Sequence, residues 1–156
     1  MTDTYRMVRS TVTDDGFGRI TIIEEPLPTP DSNQVIIAVE AAPINPSDLG
    51  MLTAGADPTT FEQADDGALV GRLSDGALAA NAARIGTPMP VGNEGAGTVV
   101  APGSSDEAQA LLGRTIAGVS GAMYATHTAL PHHLCIPLPD GVSTREAASS
   151  FVNPLT

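Results

Sequence analysis

Sixteen glycines and thirteen prolines punctuate the 156 residues, and this punctuation more than any other feature limits what the chain can fold into. Glycine and proline disfavour helix interiors and favour turns, so a helical bundle is excluded and short strands joined by many turns are expected. Residues 5–13 read as a first strand. After the turn Asp14-Asp15-Gly16-Phe17-Gly18, residues 19–24 alternate apolar with polar side chains and complete a hairpin. Pro26, Pro28 and Pro30 cannot donate to a ladder, which makes that stretch an extended connector into a strand over 33–42. Its centre, Val35 to Val39, is the longest purely aliphatic run and reads as buried on both faces. Pro46, Ser47 and Asp48 then open a short helix.

Residues 53–86 are rich in Ala, Gly and Asp and predict an excursion with one or two short helices. Over 91–100, Gly92, Gly95 and Gly97 interleave with valines, as in a strand that other backbone approaches closely. Ser104 with Glu107, and Ser143 with Glu146, have capping-box spacing ahead of apolar residues and predict two more short helices. Strands are expected at 115–119, 123–130 and 133–136. The sum is a mainly β chain with short helices, a partly open β-barrel forming one domain over 1–156.

Charge narrows the partners. Eighteen acidic against seven basic side chains give −11, which repels phosphate backbones and anionic headgroups, so neither nucleic acid nor a membrane is an expected partner. No run approaches the roughly 20 apolar residues that span a bilayer, and no apolar leader opens the chain, so a cytoplasmic location is expected. Cys135 is the single cysteine, which precludes an internal disulfide and a thiolate zinc cluster.

Three stretches, in order, carry a resemblance: Ala42-Pro43-Ile44-Asn45-Pro46-Ser47-Asp48, Val91-Gly92-Asn93-Glu94-Gly95-Ala96-Gly97-Thr98-Val99-Val100, and residues 147–156, ending Asn153-Pro154-Leu155-Thr156. Together they resemble the N-terminal, GroES-like catalytic domain of the medium-chain dehydrogenase/reductase superfamily, on the side of its zinc-free quinone oxidoreductases and 2-enoyl thioester reductases. The resemblance leaves out residues 56–86. It implies a two-domain enzyme, homodimeric at full length, whose barrel covers a small-molecule substrate while a Rossmann domain after residue 156 binds NADPH or NADH. The Gly95-Ala96-Gly97 pair lacks the third glycine of a dinucleotide fingerprint and falls inside a predicted strand, so this chain is expected to be a piece of a longer reductase.

Zinc-dependent members of the family read Gly-His-Glu in the middle motif, where this chain has Asn93, and carry a cysteine in the earlier motif, where it has Asn45-Pro46-Ser47-Asp48. No metal is therefore expected. His132, His133 and Cys135 read as surface histidines beside a core cysteine, and His127 as a strand residue. Without a Lewis acid, conjugated acceptors suit the site better than isolated aldehydes, because hydride addition places the charge on a remote enolate oxygen that hydrogen-bond donors can stabilise. Residues 53–57 lack the tyrosine that the enoyl thioester reductases carry there.

The resemblance points to Asn45 and Tyr124 as catalytic donors, to Ser47, Asp48 and Glu94 at the substrate, and to Asn45, Asn153 and Thr156 near the nicotinamide and its ribose. Each has a plainer role beside it. Asn45 suits a turn, Asp48 a helix start, Glu94 a buried network, Tyr124 ordinary packing with its hydroxyl satisfied, and Asn153 and Thr156 a helix cap or chain end. The competing function is a non-catalytic GroES-like interaction module.

Overall fold

The computed structural model describes residues 4–152. In chain order its strands are β1 (Thr4–Val12), β2 (Phe17–Pro26), β3 (Gln34–Ala41), β4 (Glu62–Gln63), β5 (Leu69–Arg72), β6 (Met89–Pro90), β7 (Glu94–Pro102), β8 (Thr115–Val119), β9 (His127–Pro131) and β10 (Cys135–Pro137). The helices are α1 (Pro46–Thr53), α2 (Asp75–Ala80), α3 (Asp106–Gln109) and α4 (Thr144–Ala147). Two antiparallel five-stranded sheets result, ordered β4-β5-β2-β1-β6 and β10-β8-β7-β3-β9. The expected mainly β class with short helices holds, and neither sheet closes on itself, in keeping with a partly open barrel. Among the described residues no helix is long and apolar enough to cross a membrane.

The chain forms two compact units. The first comprises 4–7, 24–44 and 92–152 of the described residues and contains the β10-β8-β7-β3-β9 sheet. β3 sits between β7 and β9, so Val35, Ile36 and Ile37 are fully buried and both faces are covered, as the unbroken aliphatic run predicts. One face joins Val99, Ile116, Met123 and Leu130 in the main core. On the other, Ala96 and Ala117, one residue out of step with Ile116, take Ala147 at the end of α4 and its C-cap Ala148. Gly97 makes the β3 contact possible, since a Cβ there would lie 2.0 Å from the Ala38 carbonyl oxygen.

The second unit comprises 8–23 and 45–91. Here β5 pairs with β2, bringing Gly18 opposite Gly71, and β4 pairs with β5. These strands lie in the excursion and were not expected, because four residues with a glycine among them carry too little alternation to read. Gly71 leaves room for the Phe61 ring, whose atoms would stand 2.8 Å from a Cβ. The core gathers Val12, Ala54, Ala56 and Leu73.

Four local expectations are corrected. The strand read from Val91 begins only at Glu94, because Gly92 at φ 101° breaks the pleat. The strand read over 123–130 begins at His127, since the amides of Ser120, Met123 and Thr126 donate to Asn93, Gly92 and Arg6 carbonyls instead of a ladder. Tyr124 therefore lies in a loop. His132 and His133 occupy a 3₁₀ turn after Pro131, whose fixed φ and missing N–H start a turn. Ser105 rather than Ser104 caps α3, its amide being held extended by the Ser32 carbonyl while its Oγ accepts from Ala108 at 3.2 Å.

Candidate functional site

Asn45, Ser47 and Asp48 share the first turn of α1. Asn45 is the N-cap with extended backbone, and Pro46 follows at the first helical position, where its missing N–H is harmless. The Asp48 carboxylate turns back to accept from the Asn45 backbone N–H at 3.0 Å, which satisfies one orphan donor and places negative charge at the positive end of the helix. Asn45 and Asp48 are 3% and 2% exposed, while Ser47, Leu49 and Met51 are exposed. The structure thus shows Asp48 in a helix-start role and Ser47 as the member facing solvent.

Glu94 and Tyr124 belong to the first unit. Glu94 opens β7 at 1% exposure, and its Oε2 accepts from the backbone N–H groups of Phe151 at 2.7 Å and Val152 at 2.9 Å. The carboxylate thereby holds the chain leaving α4 with two charge-assisted bonds. The Tyr124 hydroxyl donates to the Pro43 carbonyl at 2.9 Å, and the ring packs where Gly92 has no side chain, a Cβ there falling 2.7 Å from Cδ1. Asn93 offers its carbonyl to the amides of Ser120 and Gly121. The Gly92-Asn93-Glu94 motif is thus laced to the loop that carries Tyr124. Asn153 and Thr156 lie outside the described residues.

The donor set was tested against two groups that the resemblance raises. A dinucleotide pyrophosphate needs glycine-loop amides at a helix start. Gly95 and Gly97 stand inside β7 instead, and the space beside them is filled by the carbonyl oxygens of Ala41 and Ala38, at 2.9 and 2.0 Å from an added Cβ. These glycines do not fit a pyrophosphate. Zinc needs three or four converging ligands, and the described residues contain no cluster of three or more His, Cys, Asp or Glu able to hold a metal. His132 and His133 meet edge to face, and the Cys135 thiol donates to the Pro131 carbonyl while burial pushes its pKa up to about 11. A neutral, half-buried thiol is a poor ligand and a poor nucleophile.

Ser10, Asn81 and Arg84, which sequence reasoning left without a role, converge on the opposite end of α1. Ser10 Oγ donates to Leu52 O at 2.8 Å and Asn81 Nδ2 to Ala54 O at 3.0 Å, while Arg84 donates to Met51 O at 3.2 Å and to Ser10 O and Oγ at 3.1 and 2.8 Å. Burial lowers the pKa of Arg84 from its ordinary value. The one available signal was Arg84 as the single cation between Arg72 and Arg114.

No protein-family profile matches the chain. It is 28% identical over 138 residues to a zinc-type alcohol dehydrogenase-like protein of Schizosaccharomyces pombe, a match covering 83% of this chain and 33% of that protein. Its fold superposes on a candidate NADPH:quinone reductase of Mesorhizobium loti with a TM-score of 0.68 at 24% identity, covering 99% of this chain and 42% of the other. A mycobacterial protein solved with NADPH gives 0.65 at 20% identity, covering 97% and 39%. The chain spans about a third of the curated relative and about two fifths of the solved ones. The course of the backbone agrees with these solved structures, and in fold this chain is a GroES-like, partly open β-barrel.

Proposed function

We propose that this chain is the substrate-side domain of a zinc-independent, NAD(P)H-dependent oxidoreductase that reduces quinones or α,β-unsaturated carbonyl compounds. The observation that carries the reading is the agreement of three ordered motifs with a fold shared by a candidate NADPH:quinone reductase over 99% of the chain. Asn93 at the position of the metal-binding histidine, and a donor set that does not converge, support the zinc-independent form. When bound, a nicotinamide supplies the hydride. Its pyrophosphate belongs on a Rossmann domain elsewhere in the protein, because the glycines here are packed against strand backbone.

In this reading Asn45 meets the nicotinamide or the substrate carbonyl, and Ser47 and Asp48 line the approach to it. Glu94 holds the segment that leads to Asn153 and Thr156. Tyr124 can donate to a substrate oxygen only by giving up Pro43. We further propose a cytoplasmic homodimer acting on a small molecule, with neither nucleic acid nor membrane as partner.

The test follows NADPH and NADH oxidation by the whole protein with a quinone, an enone and a saturated aldehyde, each with and without a chelator. Turnover of the conjugated acceptors that survives chelation is expected. Activity lost on chelation would sink the zinc-independent form, and no turnover of any acceptor would sink the enzyme. A second reading, the non-catalytic interaction module, is favoured by the engagement of Tyr124 and Glu94 in bonds to the chain's own backbone. Asn45→Ala and Tyr124→Phe separate the two readings. A loss of roughly thirtyfold in kcat/KM at an unchanged thermal midpoint marks a transition-state role, equal to about 2 kcal/mol.

A further inference from the structure

We propose that Arg84 is a positioning residue, through which the excursion at 56–86 fixes the C-terminal end of α1 and so sets how that helix presents Asn45, Ser47 and Asp48. The inference rests on the reading of the α1 motif as a functional site. It starts from the helix itself. Eight residues are too few to form a stable helix alone, and the last turn leaves carbonyls without intrahelical partners. Here Met51, Leu52 and Ala54 each give their carbonyl oxygen to a side chain from outside the helix, namely Arg84, Ser10 and Asn81. Ser10 is fully buried on β1, so the bonds from Arg84 to its hydroxyl and carbonyl tie the helix end to a strand.

Charge and backbone point the same way. The last turn of α1 contains no basic residue, and Arg84 brings the cation that the negative end of a helix favours. Ala54 takes the left-handed conformation at φ 54°, unusual for a residue with a Cβ, and its carbonyl is the one that Asn81 holds. A fork donating to several oxygens in different directions is a task for guanidinium, and an ammonium cannot reproduce it. The lever is long enough to matter. Eight residues rise about 12 Å, so a tilt of about 10° at the clamped end moves the Asn45 end by about 2 Å, and displacements of about 1 Å at a reacting centre can cost a hundredfold in rate.

The test uses the whole protein with Arg84→Met and Arg84→Lys, and with Arg19→Met, which removes the surface pair to Asp66, as a control in the same unit. Hydrogen exchange is read at the α1 amides, with β3 as internal reference, alongside kcat and KM for a conjugated acceptor. We expect α1 to exchange at least tenfold faster in Arg84→Met with β3 unchanged, kcat to fall about tenfold, Arg84→Lys to recover only part of each, and Arg19→Met to match wild type. Should Arg84→Met fail to fold, Arg84→Lys alone decides against the same control. Unchanged α1 exchange overturns the proposal whatever the protein turns over, and faster exchange with an unchanged kcat overturns the positioning role. The enzyme reading fails by a different result, a wild-type protein that reduces nothing, and in that case α1 exchange still decides whether Arg84 clamps the helix.

Discussion

The two compact units of this chain are held by different means. In the first, β3 buries Val35, Ile36 and Ile37 completely, and Ile116, Val99 and Leu130 close over Val35 and Ile37. In the second, three of the six buried apolar residues are alanines, and the larger Phe61 and Leu78 are only partly covered. A buried branched side chain contributes about 1.5 to 3 kcal/mol and an alanine far less, so the second unit has less apolar burial to draw on. It relies more on polar clamps, among them Ser10 and Arg84 on the end of α1, Asp57 capping the turn at Thr59, and Ser74 capping α2. The contrast teaches that the motif helix α1 sits in the unit whose geometry depends on directional bonds.

The sharpest test of that contrast compares truncations in the two cores. Ile37→Ala should lose about 4 kcal/mol and Leu73→Ala about 2 kcal/mol, read as unfolding midpoints in urea with the slopes checked for equality. Equal losses would erase the difference between the cores. Next comes close backbone packing, where Gly97→Ala should lose about 3 kcal/mol because the added Cβ meets the Ala38 carbonyl, which is backbone and cannot turn aside. If that loss stays below about 1 kcal/mol, β3 yields more readily than a packed strand should.

A smaller effect is expected at Cys135. Burial raises its thiol from 9.0 to about 11, so the folded state favours the neutral form. That contribution is complete below about pH 9 and is lost as pH rises through about 11. At pH 8, alkylation of the native protein should run about a hundredfold slower than in denaturant, two units of pKa being a hundredfold in thiolate. Equal rates would show the thiol to be open to water. The smallest effect has the opposite sign. Gly50 lies within α1 with nothing within 4 Å of an added Cβ, so Gly50→Ala should raise stability by about 0.5 to 1 kcal/mol, seen as a higher thermal midpoint. A lower midpoint would mean that the held end of α1 does not tolerate a stiffer helix.

Much of this fold is legible in the sequence where the signal is local. The aliphatic run at Val35, the proline connector and the Ser143–Glu146 capping box are each realised, because a proline, a cap or a continuous apolar run constrains its own few residues. The strand β5 was not legible, since its pairing partner on β2 lies some fifty residues away and nothing in its own composition announces it, and β4 forms only by pairing with β5. At the candidate site, the sequence places Asn45, Ser47 and Asp48 on one helical turn by spacing alone.

What the sequence determined by itself was the class of the chain, the order of its motifs and the absence of a histidine at position 93, all of which follow from residue identity. Only the tertiary structure decided where the polar atoms of those motifs are engaged. Glu94 meets backbone amides fifty-seven and fifty-eight residues along the chain, Tyr124 a carbonyl eighty-one residues back, and Arg84 a serine seventy-four residues away. A hydrogen bond forms only within about 3 Å and in line, and folding alone brings groups so distant along the chain to that range.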